Sequence, residues 1–470
     1  MQLYLNRIDA YDRRGPSLHA VIAVNPRALE VARALDQERA TKGLRSPLHG
    51  IPIAVKDNID TVDMPTTGGS VSFAGSHPPR DAFVVKKLRD AGAIVFLKTN
   101  MDEMALGSRG LSALGGQVLN PYDLTRNPGG SSGGTAVAVA AGFATVGVGT
   151  ETGFSIRSPA SNTALVGIAP TRGLISRGGV IPISFTHDRV GVHAKNVADA
   201  ALLLTHLRGF DAEDLATADS LGHNDPAPFT SVLETPVSGA RIGVLRDLFR
   251  QGAEFDAGNR LVESQLDRFR TGGAEIVADL RSGMDLVAMM PSLRVNSFEL
   301  RPAFDAYLLR RGASSPVQTL AELIATGKYL KGGTQEVRYR ETMAVASLDH
   351  DTEYLSRLAN QRRLKAALID LMDRTRVDAL VYPVKALTAP VIGSSDDGVR
   401  DNSISSGSGL PAIVLPAGLH PDGLPIALEL LGRPFSESKL IQLAQTYERN
   451  NPPHAIPKTT PPLAGDRFPY

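Results

Sequence analysis

The sequence contains no cysteine among its 470 residues, so disulfide bonds, thiolate catalysis and cysteine-ligated metal sites are excluded. Its ten histidines form neither an HExxH motif nor a similar spacing of metal ligands. His187 and His193 are the nearest pair of interest, and they do not match such a spacing. We therefore expect no metal site, and catalysis would have to use other nucleophiles and bases.

The chain also lacks an excess of charge and a long apolar run. It has 50 basic and 49 acidic residues, a formal charge of +1, and no long run of either sign. This balance gives no electrostatic footprint for nucleic acid or an anionic membrane, so we expect small, neutral or mildly polar partners. The longest apolar run, residues 135–149, is too short and glycine-rich to span a bilayer, and the N-terminus lacks the apolar region of a signal peptide. We expect a soluble, cytoplasmic protein without a nucleic-acid or membrane partner; its oligomeric state is open, and a homodimer is compatible.

Residues 127–134 form a glycine-rich stretch, Asn-Pro-Gly-Gly-Ser-Ser-Gly-Gly, around which the rest of the chain is organised. A run of small apolar residues follows directly, and residues 151–157 then read Glu-Thr-Gly-Phe-Ser-Ile-Arg. We predict a glycine-rich loop that opens a helix, then a strand, then a turn that presents another serine. The two segments, with Ser131 and Ser155, suggest a nucleophile and its partner.

Three other interpretations of this stretch are weaker. A flexible Gly/Ser linker would not be followed by a run of apolar residues that requires burial. A phosphate-binding P-loop needs a lysine directly after the glycines, where this chain has Thr135. Gly129-x-Ser131-x-Gly133 matches the nucleophile elbow of α/β-hydrolases, but that elbow needs a preceding strand, and residues 120–128 are turn formers with two prolines.

The remaining pattern indicates an α/β protein, either one large domain or one with an embedded subdomain. Residues 209–240 are polar and suit a surface connection, residues 285–375 read as mostly helical, and the proline-rich residues from Asn450 read as a loosely held tail. The segment from Gly167 to Gly191 reads as turn-rich. Strands are predicted at residues 51–56, 93–97, 241–245, 274–280, 377–383, 411–416 and 425–431.

Lys56 ends the first of these strands, where open α/β sheets place their ligands. Burial at a strand end would disfavour the ammonium form and lower the pKa of this lysine, leaving an amine that can accept a proton from a serine. A structural salt bridge, for example to Asp57, is the alternative. The candidate bases for a serine nucleophile are thus lysine and histidine.

Segments along nearly the whole chain resemble landmarks of the amidase signature family. They are residues 49–58, 98–103, 129–134, 149–160, 182–185, 197–200 and 423–425. The resemblance implies an α/β fold with a single large mixed β-sheet core covered by helices on both faces. It implies one amidase signature domain over residues 1–470, with a core motif region at 50–200 and a more variable, partly helical substrate-side region at 210–375.

The resemblance further implies a Ser-Ser-Lys triad in which Ser155 is the nucleophile, Ser131 bridges and Lys56 is the base. The spacings between these three residues agree with the family arrangement. A cis peptide bond before Ser131 is implied as well. The implied reaction passes through an acyl-enzyme and needs no cofactor, metal or organic.

The oxyanion hole is implied to consist of the backbone N–H groups of Thr152, Gly153, Phe154 and Ser155. Phe154 departs from the family, which usually has a second glycine at this position. A β-carbon there restricts φ, and the ring could form a wall of the pocket. The chain also begins inside the family's first helix, which points to a trimmed N-terminus.

The expected function is hydrolysis of carbon–nitrogen bonds in small amides: aryl, acyl or C-terminal peptide amides, with esters or carbamates open to the same chemistry. The alternative is the glutamine-hydrolysing subunit of a tRNA-dependent amidotransferase, which would need partner chains. A third class is a binding protein that kept the fold and lost catalysis, but an intact set of Lys56, Ser131 and Ser155 argues against it. We expect the pocket lining to come from residues 285–375 and from loops near 182–188.

Overall fold

One mixed β-sheet of eleven strands runs through the molecule, for which a computed structural model describes residues 1–223, 227–394, 402–450 and 456–466. All strands, including those of a small separate hairpin, are β1 Val21–Val24, β2 Pro52–Lys56, β3 Ile94–Thr99, β4 Leu111–Ser112, β5 Gly116–Gln117, β6 Val146–Glu151, β7 Val166–Ala169, β8 Arg189–Ala194, β9 Arg241–Leu245, β10 Glu275–Leu280, β11 Ala379–Pro383, β12 Ala412–Leu419 and β13 Pro425–Gly432. Strands β4 and β5 form the separate hairpin.

The strand order in the large sheet is β1-β3-β2-β6-β8-β7-β12-β13-β11-β9-β10. Strands β3, β2 and β6 pair in parallel, and so do β11, β9 and β10. The pairs from β6 through β8, β7, β12 and β13 to β11 are antiparallel. Both halves of the chain contribute, because β7 of the first half pairs with β12 of the second, and the predicted mixed sheet is confirmed.

Apolar side chains cover both faces of this sheet. Along β2, Ile53 and Val55 enter one buried cluster while Ala54 enters another, as the alternation of side chains along a strand requires. The helices that supply the covering layers are α1 Gln2–Arg7, α2 Ala28–Lys42, α3 Phe83–Asp90, α4 Gly133–Ala140, α5 Arg157–Asn162, α6 Val197–Leu207, α7 Ala253–Thr271, α8 Leu286–Met289, α9 Asn296–Arg311, α10 Leu320–Ala325, α11 Thr334–Ala344, α12 Thr352–Thr375, α13 Ile404–Ser408 and α14 Glu437–Arg449. Helices α3 and α6 pack into the first cluster and α4 into the second. Among the described residues no helix combines the length and the apolar character that crossing a membrane requires.

Several sequence-based expectations are confirmed at this level. Each predicted strand is present, and residues 285–375 contain the five helices α8 to α12. Phe304 and Tyr307 of α9 lie in a buried apolar cluster, so they belong to the core. The Ala-rich segment after the glycine-rich loop forms α4 and is followed by β6, as predicted.

Two expectations are wrong. The segment from Gly167 to Gly191 was expected to be turn-rich, but most of β7 and the start of β8 lie within it, and both strands are in the middle of the sheet. The tail after Asn450 was expected to be loosely held. Residues 451–455 and 467–470 lie outside the described residues, but residues 456–466 pack against the N-terminal helix and bury Thr460.

Candidate active site

The sheet topology brings the candidate residues to one edge of the sheet. Lys56 is the last residue of β2, and Glu151 is the last residue of its parallel neighbour β6. Because parallel strands end at the same edge, Lys56 and the turn after Glu151 lie close together. Strand β8 runs antiparallel to β6 and begins at Arg189, directly opposite Glu151. The residue before it, Asp188, therefore joins the same edge.

Lys56 is completely buried and its amine contacts three oxygen atoms. Its Nζ donates to Ser131 Oγ at 2.8 Å, to Thr150 Oγ1 at 2.8 Å and to the Thr150 carbonyl at 3.2 Å. Burial lowers the pKa of Lys56 to about 7, although the carboxylates of Asp102, Asp188 and Glu151 act in the opposite direction. A substantial fraction of this amine is therefore neutral near neutral pH.

The alternative interpretation of Lys56, a salt bridge to Asp57, does not describe this site. The Asp57 carboxylate faces Lys98 instead, with 3.3 Å between Oδ1 and Nζ. The two lysines thus have different environments, because Lys98 has a buried carboxylate partner and Lys56 has hydroxyl and carbonyl oxygens. Among the described side chains, Lys56 is the cation that hydrogen-bonds to Ser131.

Ser131 lies in the glycine-rich loop, directly after a cis peptide bond between Gly130 and Ser131. The Ser131 carbonyl accepts a hydrogen bond from Asp102 N at 3.2 Å. The Asp102 carboxylate accepts in turn from the backbone N–H groups of Arg109 and Gly110, at 2.9 and 2.7 Å. A β-carbon on Gly130 would lie 1.9 Å from Asp102 Oδ2, so only glycine fits at that point of the loop.

Ser155 is held beside the glycine-rich loop through Ser132. The Ser132 N–H donates to the Ser155 carbonyl at 3.2 Å, and the Ser132 hydroxyl donates to the Thr150 carbonyl at 3.0 Å. Ser132 therefore joins the loop that carries Ser131 both to β6 and to the turn that carries Ser155. The two serine-bearing segments that the sequence pointed to are neighbours in the structure.

The turn between β6 and α5 has backbone N–H groups available for a ligand. Within the described residues, no hydrogen bond uses the N–H of Thr152, Gly153, Phe154 or Ser155 as its donor. The next two N–H groups, of Ile156 and Arg157, donate to Glu151 Oε2 at 3.0 and 3.2 Å. The carboxylate at the end of β6 thus satisfies the start of α5 and leaves the turn itself unpaired.

A buried ion cluster supports this turn from below. Glu151 Oε1 contacts Arg157 Nε at 3.0 Å and Arg189 Nη2 at 2.5 Å. Burial raises the pKa of Glu151, but the two guanidinium groups outweigh it and bring the pKa to about 2. Arg157 also donates to the Gly153 carbonyl at 2.8 Å and to Glu429, and its guanidinium lies 4.8 Å from the centre of the Phe154 ring.

Phe154 forms part of the wall of a cavity of about 490 Å³ beside the glycine-rich loop. It is not among the residues with positive φ, so the backbone of the turn accommodates its β-carbon. The cavity wall also includes Gly129, Asn162 and a segment after β11, residues 387–391. That segment was not expected from the sequence, and the wall of this cavity contains no residue from 285–375.

The two histidines singled out in the sequence are buried away from the serine pair. The His187 ring contacts the Gln361 side chain at 2.8 Å, and the His193 ring contacts the Ile156 carbonyl at 2.9 Å. Burial lowers the pKa of His187 to about 3 and that of His193 to about 4. Both rings are neutral at physiological pH, and in the described part of the chain their ring nitrogens make no hydrogen bond to Ser131 or Ser155.

Solved structures with this fold define the class of protein. The native peptide amidase from Stenotrophomonas maltophilia aligns with a TM-score of 0.87 at 37% identity, covering 97% of this chain and 94% of that chain. A subunit of the glutamyl-tRNA(Gln) amidotransferase from Thermotoga maritima aligns with a TM-score of 0.74 at 28% identity, covering 97% and 94%. The protein is an amidase, an enzyme that hydrolyses the carbon–nitrogen bond of linear amides.

The sequence specifies the family. The model of the amidase family matches residues 1–441, and the chain belongs to this family. A curated relative from Methanosarcina mazei, which is a subunit of a glutamyl-tRNA(Gln) amidotransferase, is 33% identical over 451 residues, which cover 93% of this chain and 91% of that protein. The resemblance inferred from the motifs is confirmed.

Proposed function

We propose that this amidase hydrolyses small linear amides, with the C-terminal amides of peptides as its leading substrate class. The triad consists of Ser155 as nucleophile, Ser131 as bridge and Lys56 as base. The observation that carries the proposal is the hydrogen bond of 2.8 Å between the buried Lys56 amine and the Ser131 hydroxyl, together with a pKa of about 7 for that lysine. A neutral amine in this position can accept a proton through Ser131.

In the proposed reaction, Ser155 Oγ attacks the amide carbon while its proton passes through Ser131 to Lys56. The carbonyl oxygen becomes an oxyanion, which the N–H groups of the turn at residues 152–155 stabilise, each by about 3 kcal/mol. The carbon–nitrogen bond breaks as Lys56 returns the proton to the leaving nitrogen, and an ester on Ser155 remains. Water then attacks this acyl-enzyme with the same base, releasing the acid and restoring the Ser155 hydroxyl.

The comparisons support a peptide amide more than glutamine. Peptide amidase structures align with a TM-score of 0.87 at 37–38% identity, whereas the amidotransferase structure aligns with 0.74 at 28%. In a primary amide the leaving group is ammonia, so the rest of the substrate extends from the acyl carbon. The cavity of about 490 Å³ next to Phe154 offers space for that extension.

The second candidate is glutamine hydrolysis within a tRNA-dependent amidotransferase. The specific observation in its favour is the set of curated relatives that are named as amidotransferase subunits, which are 33–35% identical over nearly the whole chain. This function would require partner chains, whereas the leading proposal requires a small-molecule substrate only. Esters and carbamates, a homodimer, a cytoplasmic location and the substrate-side role of residues 210–375 stay predictions.

Two measurements on the purified chain test the proposal. A fluorophosphonate probe followed by peptide mass spectrometry should label Ser155, and Ser155→Ala should abolish both labelling and turnover. Labelling of Ser131 with Ser155 untouched would instead support a nucleophile in the glycine-rich loop. A panel of peptide amides, amino-acid amides, anilides, carbamates and glutamine should show the highest kcat/KM on peptide amides; a clear preference for glutamine would favour the second candidate.

A further inference from the structure

Asp188 anchors the first residue of the proposed oxyanion turn. Its Oδ1 accepts a hydrogen bond from the Thr152 hydroxyl at 2.6 Å, and both residues are more than nine-tenths buried. Its Oδ2 accepts from the backbone N–H groups of Ile183 and Ser184, at 2.7 and 2.9 Å. One carboxylate thus connects the turn after β6 to the loop that precedes β8.

The other end of the turn has different anchors. The Gly153 carbonyl accepts from Arg157, and the Ser155 carbonyl accepts from Ser132 N. In the described residues, the bond to Asp188 is the one side-chain hydrogen bond that Thr152 makes. Without it, the first N–H of the turn would have no side-chain anchor on its own residue.

The loop that carries Asp188 is itself held from the helical region. The completely buried Glu299 of α9 accepts from the Ser184 hydroxyl and from the Thr186 N–H and hydroxyl. Tyr354 of α12 donates to Glu299 Oε1 at 2.7 Å. A continuous set of hydrogen bonds therefore leads from two helices of residues 285–375 to the turn.

Little space surrounds this connection. The cavity that Thr152, Asp188 and Arg177 help to line has a volume of only about 10 Å³, which is about the space that one water molecule occupies. The turn is therefore closely packed on the Asp188 side, and the open cavity of about 490 Å³ lies on the Phe154 side. A shift of the turn would move its N–H groups relative to substrate on the open side.

We propose that Asp188 is a positioning residue for amide hydrolysis, which holds Thr152 so that the N–H groups of the turn converge on the oxyanion. This inference rests on the proposed function, because it assigns the turn to the oxyanion. An oxyanion hole acts only when its donors are aimed at the position that the oxyanion will occupy. Loss of the anchor should therefore affect the transition state more than the bound amide.

Thr152→Val tests this inference, because it removes the hydroxyl while it keeps the shape of the side chain. We expect kcat per active site to fall about 10- to 50-fold on a peptide amide, with KM within about twofold of the parent value. Active-site titration with the fluorophosphonate probe normalises each rate. Thr152→Ser is the matched control: it restores the hydroxyl and should recover kcat to within about threefold of the parent.

Asp188→Ala completes a double-mutant cycle with Thr152→Val. If the two residues act through their hydrogen bond, the double variant should lose little more kcat than Asp188→Ala alone. Independent, multiplicative losses would overturn the inference, as would a Thr152→Val enzyme with parental kcat per titrated site. A purely structural role would lower the melting temperature and the titratable fraction without lowering kcat per site. Ser155→Ala is run in parallel, and an active Ser155→Ala enzyme would contradict the proposed function rather than this inference.

Discussion

At the scale of single residues, the chemistry depends on an amine in an environment that disfavours its charge. Lys56 has no carboxylate in direct contact among the described residues; its partners are the Ser131 hydroxyl and two oxygens of Thr150. Lys98, equally buried, has the Asp57 carboxylate at 3.3 Å. The difference separates a lysine that can act as a base from one that neutralises a buried charge.

The pH dependence of the reaction should follow Lys56. Because burial brings its pKa to about 7, kcat/KM should rise with pH through an ascending limb near pH 7 and level off on the alkaline side, where the amine is neutral. Rate profiles between about pH 5 and 10 measure the limb. Lys56→Ala should lose most turnover, whereas His187→Gln and His193→Gln should keep it. A dead histidine variant together with an active Lys56→Ala enzyme would contradict the assignment.

The same shift affects stability in a defined direction. The folded-state pKa of Lys56, about 7, lies below the ordinary lysine value of 10.5, so the unfolded chain binds more protons between these values. Stability therefore rises with pH across that window, and the burial of the charged amine costs about 5 kcal/mol at its lower end, offset by the hydrogen bonds of the site. Activity and stability both favour the neutral amine at this residue.

Phe154 should control the size of the acyl group that the enzyme accepts. Its ring borders the cavity beside the glycine-rich loop and lies under the Arg157 guanidinium. Phe154→Gly should raise kcat/KM for bulky acyl groups about tenfold and change that for small ones less than about threefold. A graded series of acyl amides measures the effect, and Phe154→Leu serves as the control that keeps a large side chain. Identical selectivity of parent and Phe154→Gly across the series would rule out this role.

At the scale of elements, the glycine-rich loop has its shape because backbone and side chains approach closely. Gly130→Ala places a methyl group where Asp102 Oδ2 now lies, so the loop or the Asp102 carboxylate has to move. We expect kcat to fall at least about 100-fold, because the hydroxyl of Ser131 would leave its position at the Lys56 amine. Gly116→Ala, where a β-carbon would meet nothing within 4 Å although φ is positive, is a control that should keep most activity. Comparable losses in both variants would indicate a general folding defect.

Which elements could be predicted from the sequence depended on how local their causes are. The strands that end in Lys56 and Glu151 are apolar runs followed by polar turns, so their pattern was sufficient. Strands β7 and β8 contain Gly167 and Gly191, which locally disfavour a strand. A β-carbon on Gly167 would lie 2.6 Å from the β-carbon of Ala160 in α5, so the glycine is needed for helix-to-sheet packing that a local pattern does not show.

The candidate site divides in the same way. Lys56, Ser131 and Ser155 belong to motifs that could be recognised in the sequence, and their segments are adjacent in the structure. The wall of the neighbouring cavity was missed, because residues 387–391 reach it from a distant part of the chain without a periodic pattern. Asp188 was noted only as part of a turn-rich segment, since its role depends on a contact with Thr152, 36 residues away.

At the scale of the whole molecule, the two ends of the described chain are joined by a buried ion pair. Arg7 of α1 pairs with Asp466 and donates to the carbonyls of Thr460 and Pro461, and its side chain is completely buried. It also donates to the Ala141 carbonyl at the end of α4. The composition of the tail, rich in proline, gave no sign of a partner at the opposite end of the chain.

Removing Arg7 should therefore destabilise the protein without altering its chemistry. Arg7→Met leaves Asp466 as a buried charge without its partner and three carbonyl oxygens without their donor, so we expect the free energy of unfolding to fall by about 3 kcal/mol. Arg14→Met is the matched control. Its partner is Asp9, both side chains of that pair are largely exposed, and the loss should stay below about 1 kcal/mol. Chemical denaturation followed by circular dichroism measures both, and kcat per titrated active site should stay at the parental value in each variant. Equal losses in the two variants would show that the contact between the chain ends contributes no more than an exposed surface pair.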